Sequence, residues 1–460
     1  MSETPSDAHD AVGAEALAAH LDLEARLDMG DLRGIEGWIA QRDLLTVADE
    51  LARLGPAERA IVFRLLRKER ASDAFEALSP VHQAELLESL GDSSVHDLFV
   101  ALDAADRAEL LDEMPANVAA RLLAQLPPQA RHFTDTLLGY PDESAGRAMS
   151  PRYVSLPETM TASDALAKVR AADLRPREVL VLPVIDATRH LVGVVDLPDV
   201  VTADPEVRVG TLVRADTYSV SVVEDQEVAA RLIQEANLVA LPVLDHEDRL
   251  VGVLTVDDAM EIIEEEETED AARAGGAEPI LVPYLDAGVL LLARARGTWL
   301  LLLVAAAALT VNVLQAFEAT LDRVVTLAVF IPLLIGTGGN SGAQAATAVV
   351  RAMALGEVRI TDLPRILRRE LTVGLLLGLT LGGLAFPIVG LVFGWDFAVV
   401  VALTLLVICS WASFAGGLLP VLARQAGIDP AVVSAPLIST LVDASGLLLY
   451  FVIARAVLGV

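Results

Sequence analysis

The chain has a single cysteine in 460 residues, and the lone Cys409 excludes a disulfide framework and any thiolate-built zinc site. Lysine is nearly absent: only Lys68 and Lys168 occur, and Lys and Arg together number 34 against 64 Asp and Glu. A net charge of −30 argues against nucleic-acid binding, because neutralising phosphate takes clustered Lys and Arg. The opening MSETPSDAHD has neither the basic nor the apolar part of a secretory leader, so no cleavable signal peptide is expected. Apolar residues, by contrast, are abundant: they make up 54% of the chain, and the mean hydropathy is +0.51. A chain this acidic should be hydrophilic on average. The acid and the apolar residues must therefore lie in different stretches, and this length suits two to four domains.

The charge divides along the sequence. From Arg294 to Val460 there are ten Arg, no Lys and eight acids, a net +2; the first 293 residues hold 24 basic and 56 acidic residues, a net −32. The nearly neutral part carries five apolar stretches long enough to cross hydrocarbon, at about 299–317, 324–350, 371–393, 397–422 and 431–458. Arg294 and Arg296 precede the first stretch, Arg351, Arg359, Arg365, Arg368 and Arg369 fill the loop after the second, and Arg424 follows the fourth. The loop between the third and fourth has no basic residue. The excess of arginine on one side predicts a cytoplasmic N-terminal region and an external C-terminus in the plasma membrane.

The acidic part is built of repeats. Leu54, Leu78, Leu102 and Leu126 recur every 24 residues, and in three of the four units Pro follows two places later, where a helix begins. Apolar residues eight and twelve places after the leucine share one helical face. Short paired helices stacked into a superhelix are expected over about 35–138. A second repeat has period 59: Leu182-Pro-Val-Ile-Asp186 and Leu191-Val-Gly-Val194 return as Leu241-Pro-Val-Leu-Asp245 and Leu250-Val-Gly-Val253. Strand, turn, strand and helix, each preceded by a helix, give a small βαββα module twice. The pattern resembles paired CBS domains, which implies one intramolecular unit that often takes adenine nucleotides. Asp199, Thr255 and Asp258 match its nucleotide positions, and Asp196 stands in the first copy where the second has Thr255. A purely structural module is the other reading.

Seven carboxylates follow between Glu261 and Asp270. On two or three helical turns they repel one another, and a divalent cation bridging their oxygens relieves that repulsion. The run continues the last helix of the second module, and a Gly275-Gly276 break with Pro279 and Pro283 leads to the first apolar stretch. Only one carboxylate lies deep in an apolar stretch, Asp443. Its cost there is on the order of 3 kcal/mol, which makes it a functional candidate. The second stretch carries GTGGNSGAQAAT (336–347), too polar for a lipid face and small enough for close helix packing. Helix contact alone is one reading of it; the other is a cation path shared with the Asp443 helix. No basic cluster suits an anion there, and no nucleophile–base constellation or Walker loop suggests catalysis.

The order of elements, together with GTGGNSGAQAAT, QAGIDPAVVSAPLISTLVDASGLLLYF and VGVLTVDDAMEIIEEEETED, resembles the MgtE-type magnesium transporters from about residue 20 onwards. The fold class expected is a multidomain α-helical integral membrane protein. A disordered tail (1–20) precedes a helical-repeat domain (21–140) and two α/β CBS domains (144–203, 204–263). An acidic connecting helix (264–293) then leads to a five-helix transmembrane domain (294–460). The resemblance implies a homodimer with a central pore that imports Mg2+ and opens when cytosolic Mg2+ is low. Asp443 would hold a hydrated Mg2+ there, with Thr347, Ser439, Asn340, Gln344, Ala343 and Ala435 lining the path. It also implies regulatory Mg2+ at Asp257, Asp258, Glu261, Glu266, Glu269 and Asp270, at Asp225 and Glu227, at Asp429, and at Asp73, Asp106 and Glu109, with ATP as a further ligand of the CBS pair. The family commonly has Asn where this chain has Ala343 and Ala435, so relaxed selectivity is expected. Two other functions fit the pattern: transport of Co2+ or Mn2+, and a non-conducting membrane-anchored sensor.

Overall fold

The computed structural model describes residues 20–460 apart from positions 91, 113, 173, 215, 281–283 and 285–286. The expected tail over 1–20 lies outside these except for its last residue, and so does Pro283. The chain divides into two compact units, Met1–Glu264 and Glu265–Val460.

Among the described residues of the first unit, nine helices of nine or ten residues follow one another from Leu32 to Leu137. Three of them are α1 (Lys68–Glu76), α2 (Ala104–Asp112) and α3 (Pro128–Leu137). The 24-residue period is the length of one helix pair. Each repeated leucine is buried between a helix that ends and one that begins, and Pro56, Pro80 and Pro128 take the first helical turn. Their side chains join one core along the array with Val47, Val62, Phe75 and Leu110.

The repeat also has a polar member. Five residues after the leucine, Arg59 donates to Leu51 O (2.7 Å) and Leu54 O (2.9 Å), and Gln83 to Phe75 O (2.9 Å) and Leu78 O (3.0 Å). Arg107 likewise donates to Val100 O and Leu102 O. Each closes the carbonyls left open where the preceding helix ends, which is why such side chains are tolerated in the core.

The α/β modules follow. In the first, β1 (Leu156–Pro157) runs parallel to β2 (Val181–Ile185), which pairs antiparallel with β3 (Leu191–Asp196). The second repeats this with β4 (Val220–Ser221), β5 (Ala240–Leu244) and β6 (Leu250–Thr255). Val181 faces Asp196 and Ala240 faces Thr255, so the period of 59 preserves the register as well as the sequence. In each hairpin an aspartate, Asp186 or Asp245, accepts two backbone N–H groups, and Arg189 or Asp248 takes positive φ. Val181, Val194, Ala240 and Val253, equivalent pairs one period apart, form the core between the two sheets. The helix α4 (Ala162–Ala171) flanks the first sheet, and α5 (Val256–Ala274) leaves the second.

Among its described residues the second unit has five long helices: α6 (Val289–Ala316), α7 (Leu327–Ala354), α8 (Leu363–Phe393), α9 (Trp395–Gln425) and α10 (Ala435–Leu458). Four are long and apolar enough to cross a membrane, among the described residues. The fifth, α7, has the length, but its Gly-Thr-Gly-Gly-Asn-Ser segment dilutes its apolar character. On α6 only Ala295 is buried while Val289, Leu290 and Leu301 are exposed, as expected of a helix whose surroundings are hydrocarbon. Backbones touch where glycine allows it. A Cβ at Gly374 would lie 2.6 Å from Cys409 O and one at Gly382 2.8 Å from Ala402 O, so α8 packs directly on α9. The acidic helix stops earlier than the 264–293 span expected of it: α5 ends at Ala274, and Gly276 turns the chain at φ 69°.

Candidate cation path and acidic centres

On α7, Asn340, Ala343, Gln344 and Thr347 fall on one helical face. Asn340, Gln344 and Thr347 are exposed, while Gly338, Gly339, Ser341 and Gly342 are buried against neighbouring helices. On α10, Ala435, Ser439 and Asp443 recur every four residues and form a second stripe, half-buried. The two helices meet at Gly339, where an added Cβ would overlap Ser439 Oγ and lie 3.3 Å from Asp443 Oδ1. One Asp443 oxygen, Oδ1, is buried and has no hydrogen-bond partner among the described residues. A buried carboxylate oxygen without a donor is costly, and a cation or its water shell supplies what is missing. Nearby charge does not: Arg455 is held by Thr320 Oγ1 (2.9 Å) and stacks over Phe317.

In the first unit the acids converge around α1 and α2. One carboxylate oxygen from each of Glu76, Asp103 and Asp106 lies within 4.8 Å of the others, a spacing that suits a divalent cation. Glu76 ends α1. Asp103 caps α2 by accepting from the Ala105 and Asp106 N–H groups (both 3.0 Å). Asp106 Oδ2 is buried and finds no donor among the described residues. Burial, then the negative charges of Asp103, Glu76, Glu261 and Asp258, hold the Asp106 carboxyl far above the usual carboxylate range. Glu261 and Asp258 of α5 therefore face the same centre. Asp258 is pushed up to about 7 by burial, against hydrogen bonds from Thr255 that lower it. A guanidinium already sits at the edge: Arg175 Nη1 bonds Glu76 Oε1 (2.5 Å), and its Nη2 lies 3.9 Å from Asp103.

The second unit has a matching arrangement at the end of α5. Arg273 bonds Glu269 one turn back on the same helix, and its Nη1 donates to Asp429 Oδ2 (2.6 Å) just before α10. Gly276 rests on Pro436, 3.3 Å from where its Cβ would be. Glu266 and Asp270 are half-buried on the same stretch. Glu269 and Asp429, which the sequence places far apart, are thus brought together, by an arginine.

Other expected positions are engaged locally. Asp225 caps its helix through Glu227 N (2.8 Å), and Glu227 pairs with Arg231 (2.6 Å). Thr255 Oγ1 donates to Asp257 and Asp258, both at 2.5 Å. At the equivalent place in the first module Asp196 pairs with Arg214, and Asp199 is exposed at the start of the following helix. Asp73 and Glu109 are exposed and lie outside the triad. The sequence reading missed Glu76, Asp103, Arg175 and Arg273. The Asp103 position carries a readable signal, an acid just before the first helical residue of a repeat; the other three carry none.

A CBS pair, a bundle of membrane-length helices and carboxylates with divalent-cation spacing define a multi-pass membrane protein that handles divalent cations. Family models agree: one for a divalent cation transporter (MgtE) matches residues 331–453, one for the MgtE intracellular N domain matches 44–143, and CBS-domain models match 145–206 and 209–265. The chain is 40% identical over 342 residues to the magnesium transporter MgtE of Thermus thermophilus, covering 74% of this chain and 75% of that one. It is 32% identical over 322 residues to the magnesium transporter MgtE of Enterococcus faecalis, covering 69% and 70%. Among solved structures, the cytosolic domain of the Mg2+ channel MgtE in complex with ATP matches at 30% identity and a TM-score of 0.48, over 53% of this chain and 99% of that one. The chain belongs to the MgtE family of magnesium transporters.

Proposed function

We propose that the helices α7 and α10 wall a path for hydrated Mg2+ at Asp443, and that cytosolic Mg2+ bound to the acidic centres closes it. The observation that carries the reading is the buried Asp443 oxygen, without a hydrogen-bond partner among the described residues, beside Ser439 and the Gly339 backbone. Mg2+ gives up its waters reluctantly, so a single carboxylate that accepts from those waters attracts the ion without stripping it. The amide and hydroxyl groups of Asn340, Gln344, Thr347 and Ser439 add neutral hydrogen bonds along the same faces. The α7 stripe is exposed in one chain, and a second copy set against it would enclose the path; this supports a homodimer. The arginine distribution supports a cytoplasmic first unit and an external C-terminus.

For the gate, Mg2+ bridges Glu76, Asp103 and Asp106 together with Glu261 and Asp258, and at the end of α5 it bridges Glu269, Asp429 and their acidic neighbours. ATP at the CBS pair belongs to the same proposal, with Asp199, Thr255 and Asp258 as its contacts. Growth rescue of a Mg2+-uptake-deficient cell tests the path: the wild type restores growth at low Mg2+ and Asp443→Ala does not. Equal rescue by both would remove Asp443 from the path. Rescue by neither, with both present in the membrane, would favour the non-conducting reading.

A further inference from the structure

The two helices that carry the path residues are tied together through a third that carries none of them. Between Thr404 and Ser413, α9 bears three hydroxyls and an indole. Ser410 Oγ donates to Leu406 O of its own helix (2.7 Å), and Thr404 Oγ1 is buried with no partner among the described residues. The other two reach across to neighbours. Trp411 Nε1 donates to Ser445 Oγ on α10 (2.8 Å), and Ser413 Oγ shares a hydrogen bond with Ser341 Oγ on α7 (3.1 Å). From positions two residues apart, one bond goes to each wall.

Both ties are settled at each end. Ser445 Oγ accepts from the indole and donates to Leu441 O (2.9 Å) on its own helix. The Trp411 ring stacks on Phe414 at 6.0 Å between centroids, so packing aims its N–H. Ser341 and Ser413 are both buried, and buried hydroxyls need a partner. In hydrocarbon no water replaces a bond that is lost, so these pairings are hard to give up.

What the ties fix is rotation. The other contacts at this depth are apolar: Ile438 and Val442 pack with Ala346 and Ala412, and a Cβ on Gly342 would overlap both. Such surfaces set the distance between helices, but they define the angle about each axis less sharply than a directional bond does. Ser445 is two residues beyond Asp443, about 200° round the helix, so drawing Ser445 to α9 keeps Asp443 turned towards Gly339. Ser341 follows Asn340, about 100° round α7, so holding Ser341 against α9 leaves Asn340, Gln344 and Thr347 on the exposed face. The next polar ties of α10 lie further along: Tyr450 donates to Leu327 O (2.8 Å) and Arg455 to Thr320 Oγ1 (2.9 Å).

We propose that Trp411 and Ser413 are positioning residues for the cation path: through Ser445 and Ser341 they set the rotation of α10 and α7, and so the direction in which Asp443 and the α7 stripe face. This rests on the path proposed above.

Mg2+ uptake into proteoliposomes, measured over a range of Mg2+ concentrations, tests it. Trp411→Phe keeps the ring and removes the N–H; Ser413→Ala removes the other tie. A bond biases an orientation by no more than its own strength, and hydrogen bonds between membrane helices correspond to about threefold. Each variant should therefore raise the half-saturating Mg2+ concentration by about twofold to threefold, and the two together by about fourfold to ninefold. Ser445→Ala should match Trp411→Phe and add nothing to it, while Ser445→Thr, which keeps the hydroxyl, should restore wild-type half-saturation. Thermal unfolding guards against loss of fold; if Trp411→Phe is unfolded, Ser445→Ala takes its place. The proposal is overturned if half-saturation is unchanged, if only the maximal rate falls, as loss of folded protein alone would give, or if the effects of Trp411→Phe and Ser445→Ala multiply. Asp443→Asn, run alongside, tells the two readings apart. If it loses uptake while the α9 variants match the wild type, the path stands and the positioning role falls; if it transports like the wild type, both fall.

Discussion

Carboxylates are handled in opposite ways in the acidic centres and in the membrane helices. At the centres they come in groups, and each group has an arginine: Arg175 on Glu76 and Asp103, Arg273 on Glu269 and Asp429. In the membrane helices Asp443 stands with no ion pair among the described residues, beside neutral hydroxyl and amide groups. The difference fits the roles proposed for them, a cation sensor at the centres and a conduction site at Asp443. A sensor has to bind a cation near its cytosolic concentration and release it below that, so a resident guanidinium that competes for the same oxygens is useful. A conduction site has to let the ion pass, so one charge acting through water is enough, and a bound arginine would block it.

The largest effect should come from the membrane side. Asp443→Asn keeps the shape and one acceptor oxygen and removes the charge. If that charge gives the hydrated ion even 1.4 kcal/mol, uptake into proteoliposomes falls at least about tenfold. Uptake within twofold of wild type would mean that neutral groups suffice there. Next comes the triad. In Glu76→Gln/Asp103→Asn/Asp106→Asn, the thermal stabilisation of the full chain by millimolar Mg2+ should shrink, because at 100 times Kd a lost site removes about 2.7 kcal/mol of linkage. An unchanged shift would move the sensor elsewhere.

Smaller again is Arg273→Ala. Half-exposed ion pairs are worth roughly 0.5–1 kcal/mol. Freeing Glu269 and Asp429 should therefore lower the Mg2+ concentration that half-protects 264–276 from protease by about threefold, and an increase would show that the arginine holds the segment without competing.

At the acidic centre burial pushes Asp258 up to about 7 and Asp106 further above the usual carboxylate range. A carboxyl with a raised folded pKa keeps its proton where the unfolded chain has lost it. From about pH 4 upward, to about 7 for Asp258 and beyond that for Asp106, the metal-free first unit therefore binds the extra protons and loses that stability as pH rises. Divalent binding needs the ionised form, so the Mg2+-induced rise in Tm should grow across the same window. A rise that is flat with pH would separate Asp258 and Asp106 from the metal.

The repeats made much of the fold legible. A period of 24 with Pro two places after Leu is a helix pair with its start marked, and a period of 59 carried strand, turn and register together, down to the matching Asp186 and Asp245 turns. Asp443 was legible because a charge within an apolar run is expensive. The partners of the acids were not legible. Glu76 meets Asp103, and Glu269 meets Asp429, only because separate helices end side by side, and nothing local in the sequence encodes that meeting. The connecting helix expected over 264–293 ends at Ala274, at the Gly275-Gly276 break that the sequence marked, because glycine takes the turn at φ 69°.

The smallest predicted effect concerns Ala343, on the α7 face with Asn340, Gln344 and Thr347. Family members commonly place an asparagine there. An added amide brings one more neutral group able to hydrogen-bond the waters around the ion, each such bond being worth roughly 0.5–1.5 kcal/mol. Because Co2+ exchanges its waters for protein ligands more readily and Mg2+ keeps its own, a water-contacting amide favours Mg2+. Ala343→Asn should therefore raise the preference for Mg2+ over Co2+ by about twofold in competitive uptake, the lower end of that range, with Mg2+ uptake itself little changed. If the preference does not move while Asp443→Asn abolishes uptake, discrimination rests on the carboxylate alone, and the neutral stripe of α7 serves to pack the helix.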